Sequence, residues 1–252
     1  MRKLILAATA GLTLAAAVPA GLVLAAGAPA YVTAAVADKS RPAADVERDP
    51  ERKPAEVLAF AAIKPGQTVG ELMPGGGYYT RLLSDIVGPK GHVYGLVPEG
   101  FAKMRPQMVD AIKGFGPNVT AGTYPEASLN LPVKVDVVWT SENYHDFHNG
   151  PPNGPKPDIA MFNKAVYDAL KPGGIFIVED HAAAAGAGTS VTGTLHRIDP
   201  AAVKSEVEAA GFKLVGSSDI LKNPADTHEK AIFDPSIRGH TDKLLFKFKK
   251  PG

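Results

Sequence analysis

The sequence predicts an α/β protein of three layers: a doubly wound, mostly parallel sheet covered by helices on both faces, with an antiparallel strand at its C-terminal end. Three observations predict it. Short runs of branched apolar residues alternate with segments of helical period through most of the chain, the pattern of a parallel sheet with helical crossovers. The first run passes through a glycine-rich turn, "MPGGGYY", directly into a helix. The last two runs, "FKLVGSSDI" and "KLLFKFKK", have no helical segment between them, so they form a hairpin-like end.

The elements follow in chain order. Residues 1–37 begin with Arg2 and Lys3 and then carry no charge as far as Ala37, with Ala, Leu, Val and Gly dominant. A basic start, an apolar run and an Ala-x-Ala site before Asp38 read as a secretory signal peptide. "APA" at Ala28–Ala30 offers a second cut. The alternative is an uncleaved membrane anchor, since about 20 apolar residues span a bilayer, although Pro19, Gly21, Gly27 and Pro29 interrupt the run. Both place the folded part outside the cytoplasm, most simply in a bacterial periplasm. Residues 38–53, charged and proline-bearing, form an extended or loosely helical arm, and residues 54–252 form the domain.

Pro54 suits the first turn of a helix running to Ala62, because that N–H needs no partner. "TVGELM" is the first strand. In "YYTRLLSDIV", Tyr79, Leu82, Leu83, Ile86 and Val87 share one helical face. "HVYGLV" is the next strand, followed by a short helix around Phe101–Ile112 and a weak strand near Val119–Ala121. "VDVVWT" is a buried strand. His145 to Pro157, rich in proline, Asn and Gly, is a loop. Asp158 caps a helix through Leu170, "KPGG" turns the chain, and "IFIVED" is a strand. The glycine- and alanine-rich 182–194 is flexible, Pro200–Ala210 is a helix, and a long polar stretch, 222–242, separates the last two strands.

Composition excludes some classes of function. The chain has 252 residues, with 27 basic and 26 acidic. Such a neutral balance gives no field or basic cluster to attract nucleic acid. There is no Cys, hence no disulfide and no thiol for acylation, which is compatible with an oxidising compartment. A membrane partner is expected only if the N-terminal segment stays uncleaved; the oligomeric state is not indicated.

In doubly wound sheets ligands bind beyond the carboxyl ends of the strands. The glycines at 75, 76 and 77 remove side chains where backbone approaches a ligand, and the helix beginning at Tyr78 adds N–H donors and a positive dipole end. A tight turn with no ligand is the plainer reading of this stretch alone. "SENYHDFHN" and "EDHAA" open onto the same rim, gathering Glu142, Asn143, His145, Asp146, His148, Glu179, Asp180 and His181. His145 with Asp146 is the first choice for general base, then Asp180 or His181, because an imidazole titrates near neutral pH and a carboxylate orients it. The same His and Asp types can ligate zinc, but no defined metal spacing is present, so no metal is assigned. His196-Arg197 reads as a lid element or a simple approach to a helix. Tyr78, Tyr79 and Tyr144 are pocket-lining candidates, though Tyr79 also fits a core face. Trp139 reads as packing, and His228 and His240 as surface residues.

"VGELMPGGGYYTRLL", "GHVYGLVPE", "VDVVWTSENYHDF" and "LKPGGIFIVEDH", in this order, resemble the class I S-adenosylmethionine-dependent methyltransferases. "PGGGYYT", "NYHDFH", "EDHAA", "LHRID" and "TDKLLFKFKKP" further resemble a family of predicted exported bacterial methyltransferases. The resemblance implies a Rossmann-like methyltransferase fold, S-adenosylmethionine as cofactor and a small-molecule methyl acceptor. The acid-x-Gly-x-Gly-x-Gly loop of the class matches Glu71, Gly75 and Gly77, with Met73 in place of its first glycine. Val97 stands where the class has an acid for the ribose, with Glu99 as a substitute, and Glu126 is the nearest acid for the adenine amine. The implied cofactor residues are therefore Glu71, Met73, Gly75, Gly76, Gly77, Tyr78, Glu99 and Asn143. The alternatives are a non-catalytic or differently liganded small-molecule-binding protein on this fold, and a metal-dependent enzyme using the His/Asp rim.

Overall fold

The structure is a computed structural model; it describes residues 27–125, 128–129, 131–150 and 156–252. Most of the predicted signal segment, and Glu126, lie outside the described residues. No helix among the described residues is long and apolar enough to cross a membrane.

The chain begins with α1 (Ala30–Val36), α2 (Ala43–Val46), α3 (Asp49–Arg52) and α4 (Pro54–Ala61). It continues with β1 (Thr68–Leu72), α5 (Tyr78–Val87), β2 (His92–Pro98), α6 (Glu99–Met104), α7 (Gln107–Asp110), β3 (Val119–Tyr124) and β4 (Val135–Ser141). After a 3-10 turn at Tyr144–His148 come α8 (Ile159–Ala169), β5 (Leu170–His181), α9 (Thr192–Leu195), α10 (Pro200–Ala209), β6 (Lys213–Ser217) and β7 (Lys243–Lys249). Among the described residues the strands form one sheet in the order β3-β2-β1-β4-β5-β7-β6. β1 pairs in parallel with both β2 and β4, and β7 runs antiparallel to β5 and β6. The expected doubly wound sheet with an antiparallel C-terminal strand is therefore present. Its order reverses between β1 and β4, which opens a crevice there.

Strand periodicity builds the two cores. In β4, Val137 and Trp139 face one side and Val138 the other, because side chains alternate across a sheet. The first side packs Val57, Leu58, Leu82, Leu83 and Ile86 of α4 and α5 against Val69, Trp139 and Ile177. The second packs Phe162, Val166, Val203 and Val207 of α8 and α10 against Val138, Phe176 and Phe248. α1 belongs to the first core: Val32 and Ala35 are buried in it. Trp139 is fully buried with its ring 4.7 Å from that of Tyr79, so packing describes Trp139, while Tyr79 both packs in this core and lines the cavity in the β1/β4 crevice.

Three expectations change in detail. The helix expected over 101–112 is two pieces, α6 and α7. Pro106 forces Arg105 out of helical backbone, at φ −136° and ψ 70°. "KPGG" does not end before the strand but joins it. Gly173 N–H donates to the Lys250 carbonyl at 3.1 Å and Lys250 N–H to that of Gly174 at 2.9 Å, extending the ladder with β7. The loop after β4 carries the 3-10 turn. The arm takes the helical one of its two expected forms, as α2 and α3. Asp158 caps α8 as expected, accepting from Ala160 and Met161 N–H.

Candidate active site

The crevice at the β1/β4 switch point holds a cavity of about 970 Å³. Its walls are the end of β1 with its glycine turn, the rim after β4 and β5, the stretch from Phe101 to Arg105, Gly193 and His196 around α9, and parts of the arm and of the 222–242 stretch.

The glycine turn is open. A side chain added at Gly75 or Gly76 would meet nothing within 4 Å, and both line the cavity. Gly77 differs: it has φ +82°, and a Cβ there would lie 2.1 Å from Phe115. It serves the turn and its packing and does not line the cavity. Met73 takes φ +51°, a left-handed conformation that costs a non-glycine residue on the order of 1–3 kcal/mol. The turn is kept nonetheless. Met73 N–H donates to the Leu96 carbonyl at 2.8 Å, and Asn143 Nδ2 donates to the Met73 carbonyl at 3.1 Å. Asn143 thus ties the rim to the glycine turn.

Glu71 is buried on the cavity wall, and its carboxylate accepts the Thr80 hydroxyl at 2.6 Å. Burial pushes its pKa up to about 7, against the opposing pulls of Thr80 and Arg52. Tyr78 donates its hydroxyl to Asp49 at 2.6 Å, and the guanidinium of Arg52 lies 4.7 Å from its ring centre. Arg48 lies 5.4 Å from the same ring and reaches the cavity. Among the described residues it makes no carboxylate ion pair, and burial lowers its pKa. Glu99 opens α6 and does not line the cavity; Phe101, Met104 and Arg105 of that stretch do.

The rim forms a connected network. Asp180 is fully buried and off the cavity surface. It accepts from His145 N–H at 2.6 Å, His145 Nδ1 at 2.8 Å and His181 N–H at 2.7 Å. Its place is to position His145 rather than to meet a ligand. His145 Nε2 lies 3.4 Å from Asp146 Oδ1 and 3.3 Å from His196 Nδ1. Burial works against charge on His145, but Asp180 and then Asp146 outweigh it, so its pKa is raised. His181 Nδ1 pairs with Thr241 Oγ1 at 2.7 Å, and burial lowers its pKa to about 4. It meets the cavity as a neutral imidazole at neutral pH.

Beneath the rim lies a charged floor. Arg52 pairs with Glu142, and Lys243 approaches that carboxylate at 3.6 Å. Burial raises the Glu142 pKa and the Arg52 charge lowers it; the net direction is down. Glu142 stands at φ +60°. Glu179 is buried beneath it and accepts from Ser141 at 3.0 Å; burial and the charge of Glu142 raise its pKa. His148 turns away toward Glu206 at 3.2 Å. Tyr144 does likewise, buried against Asn163 and Glu206 and not on the cavity.

The 222–242 stretch is tied to the sheet by Arg197, whose guanidinium is fully buried and bidentate with Asp226 at 2.8 and 3.1 Å. Ile232 and Phe233 of that stretch reach the cavity, with the Phe233 ring 4.9 Å from that of His196. His228 is not an isolated surface residue. Its Nε2 lies 3.0 Å from Asp242, and His240 pairs with Glu51. Sequence reasoning did not find Arg48, Arg52 or Phe233 as cavity residues. The i, i+4 spacing of the two arginines was the available signal, since it sets both on one face of a short helix.

Comparison with solved structures places this fold. A SAM-dependent methyltransferase from Aquifex aeolicus is similar at TM-score 0.55 and 19% identity, covering 84% of this chain and 99% of its own. An S-adenosylmethionine-dependent methyltransferase from Mesorhizobium loti gives 0.56 and 16%, covering 81% and 100%. The [4+2]-cyclase SpnF gives 0.54 and 15%, covering 85% of each. At these identities the likeness is one of fold: the chain has the Rossmann-like fold of these methyltransferases. No protein-family model and no curated protein matches the chain.

Proposed function

We propose that the chain binds S-adenosylmethionine in the β1/β4 cavity and transfers its methyl group to a small-molecule acceptor. The observation that carries this reading is the pairing of an acid and a free base on one wall beside an open glycine turn. Glu71 can face the ammonium group of the cofactor's amino-acid end, and Arg48, without an ion-pair partner among the described residues, its carboxylate. Gly75 and Gly76 leave room for the chain between them. A volume near 970 Å³ lies toward the upper end of the roughly 300–1,000 Å³ typical of ligand sites, which suits a cofactor and an acceptor together.

The cofactor supplies an activated methyl on a sulfonium. The protein's work is to align the acceptor and to receive its proton. His145 Nε2 and Asp146 Oδ1 are the cavity groups suited to that proton, with Asp180 fixing the imidazole by taking Nδ1–H. The cyclase among the structural relatives is a reminder that the fold alone does not determine the reaction. The composition of residues 1–37 supports export as part of this proposal.

Calorimetry with S-adenosylmethionine and S-adenosylhomocysteine tests the reading. Both bind the wild type. Gly76→Val, at a position without left-handed strain, abolishes binding with the fold intact, and Arg48→Ala weakens it about tenfold, the loss of one charge-assisted contact. No binding by the folded wild type at millimolar ligand overturns the proposal. Gly75→Val is the poorer test, because Gly75 stands at φ +58° and any side chain there strains the turn.

A further inference from the structure

Three side chains at the cavity wall, His145, Asp146 and His196, come together in a way the proton-acceptor role does not require. His145 Nε2 to Asp146 Oδ1 is 3.4 Å, His145 Nε2 to His196 Nδ1 is 3.3 Å, and His196 Nδ1 to Asp146 Oδ1 is 3.3 Å. The three atoms form a nearly equilateral triangle. Ligand atoms bound to one zinc-like ion at about 2.0–2.1 Å in tetrahedral geometry are about 3.3–3.4 Å apart; on an octahedral face at the same bond length they are about 2.9 Å apart.

The protonation pattern points the same way. Asp180 Oδ1 accepts from His145 Nδ1, so in the neutral imidazole Nδ1 carries the proton and Nε2 presents a lone pair to the triangle. Asp146 Oδ1 presents another. The proton of His196 can serve one edge of the triangle well, which leaves the remaining lone pairs facing each other. A cation at the centre satisfies all three. The buried carboxylate behind a ligating imidazole is also the usual arrangement around a metal-binding histidine.

Two further features fit. All three residues line the cavity, so a fourth coordination position opens into it, as in sites where a metal meets substrate or water. His196 is held at φ +54°, a conformation that costs a histidine free energy and persists only where the surroundings impose it. The sequence spacing hides the set: His145 and Asp146 are adjacent, and His196 directly follows α9, beyond β5 and the glycine-rich stretch.

We propose that His145 Nε2, Asp146 Oδ1 and His196 Nδ1 bind a zinc-class divalent metal ion, with Asp180 as the positioning residue behind His145 and one coordination position open to the cavity. The site stands independently of the methyl-transfer reading. If both hold, an acceptor hydroxyl on the open position loses its proton more readily through the ion, and His145 is a ligand instead of the base.

The test uses the full chain, stripped with chelator and then titrated with Co²⁺ and with Zn²⁺ in the absence of any cofactor. One ion binds per chain, and the Co²⁺ form shows the intense visible bands of a four-coordinate site. His196→Gln, at a partly exposed position, lowers affinity at least a hundredfold with an unchanged circular dichroism spectrum. Asp180→Asn lowers it about 10–100-fold, the effect typical of a residue behind a ligand, and shifts the Co²⁺ bands. Absence of a Co²⁺ spectrum in the folded wild type, or a His196→Gln variant that binds as tightly as wild type, overturns the site and means that the triangle shares protons only. Calorimetry with S-adenosylmethionine on metal-free protein reads the cofactor proposal separately, so either can fail alone.

Discussion

Replacing Glu71 with Gln should change how stability depends on pH. Glu71 lies buried at the end of β1, and burial raises its pKa to about 7 in the folded chain; the ordinary value is 4.5. Because the folded value is raised, the protonated carboxyl is the form the fold prefers. Its contribution is present in full below pH 4.5, is lost progressively as pH climbs from 4.5 to 7, and is gone above 7. A shift of this size corresponds to about 3 kcal/mol. Gln keeps the volume and can still accept the Thr80 hydroxyl, but it does not titrate. In urea unfolding at pH 5 and pH 8, the wild type should therefore lose up to about 3 kcal/mol more than Glu71→Gln between the two conditions. Other titrating groups are common to both proteins and cancel in the difference. The site makes a second reading possible. If a ligand ammonium docks on Glu71, binding at pH 6 draws a proton off the carboxyl, and calorimetry in two buffers of different ionisation heat detects its release. Equal pH slopes for the two proteins would refute the argument that Glu71 is held protonated by burial.

Three further outcomes follow from the charged floor, the anchored stretch and α1. Arg52→Ala leaves the partly buried Glu142 with Lys243 as its remaining cation, which should cost about 1–3 kcal/mol in urea unfolding; adding Glu142→Gln should recover part of it, and an unchanged midpoint would remove the floor from the stability account. Arg197→Met strands Asp226 at a cost of about 3–5 kcal/mol, and hydrogen exchange should rise first over 222–242, with a uniform rise across the sheet counting against a local anchor. A cut after Ala37 would remove α1 and with it Val32 and Ala35 from the first core, so if the chain is exported as proposed, mass spectrometry of the mature form should find a start at Tyr31, after the Ala28–Ala30 site; a start at Asp38 would show that the core tolerates losing α1.

The fold was legible because its strongest signals are local. Branched runs such as "VDVVWT" and helical faces such as Tyr79–Leu82–Leu83–Ile86 need no knowledge of distant partners, and each became an element with the expected faces. Boundaries failed where a distant partner decided them. "KPGG" has every mark of a turn, yet Lys250, the residue after β7, holds Gly173 and Gly174 in the ladder. The break between α6 and α7, by contrast, was written locally in Arg105-Pro106.

The site divides along the same line. Its rim residues lie directly after strands, so topology alone brought Asn143, His145, Asp146 and His181 to one place. Arg48 and Arg52 come from an arm whose charge reads as solvation, and only the fold turns them over Tyr78. His196 reaches His145 because Arg197 beside it is buried and fixes the backbone there. Met73 is the informative departure. A methionine stands where the class has the first glycine of the turn. Its backbone takes the left-handed shape that a glycine would take freely, and Asn143 and the Leu96 carbonyl hold it. The departure is therefore a cost in backbone strain carried by the rim, and it leaves the space at Gly75 and Gly76 open. It follows that Asn143→Ala should loosen the glycine turn and weaken ligand binding, whereas Met73→Gly relieves the backbone strain but removes a side chain buried in the second core and on the cavity wall, a loss of about 2–5 kcal/mol, so urea unfolding should find that variant less stable than the wild type.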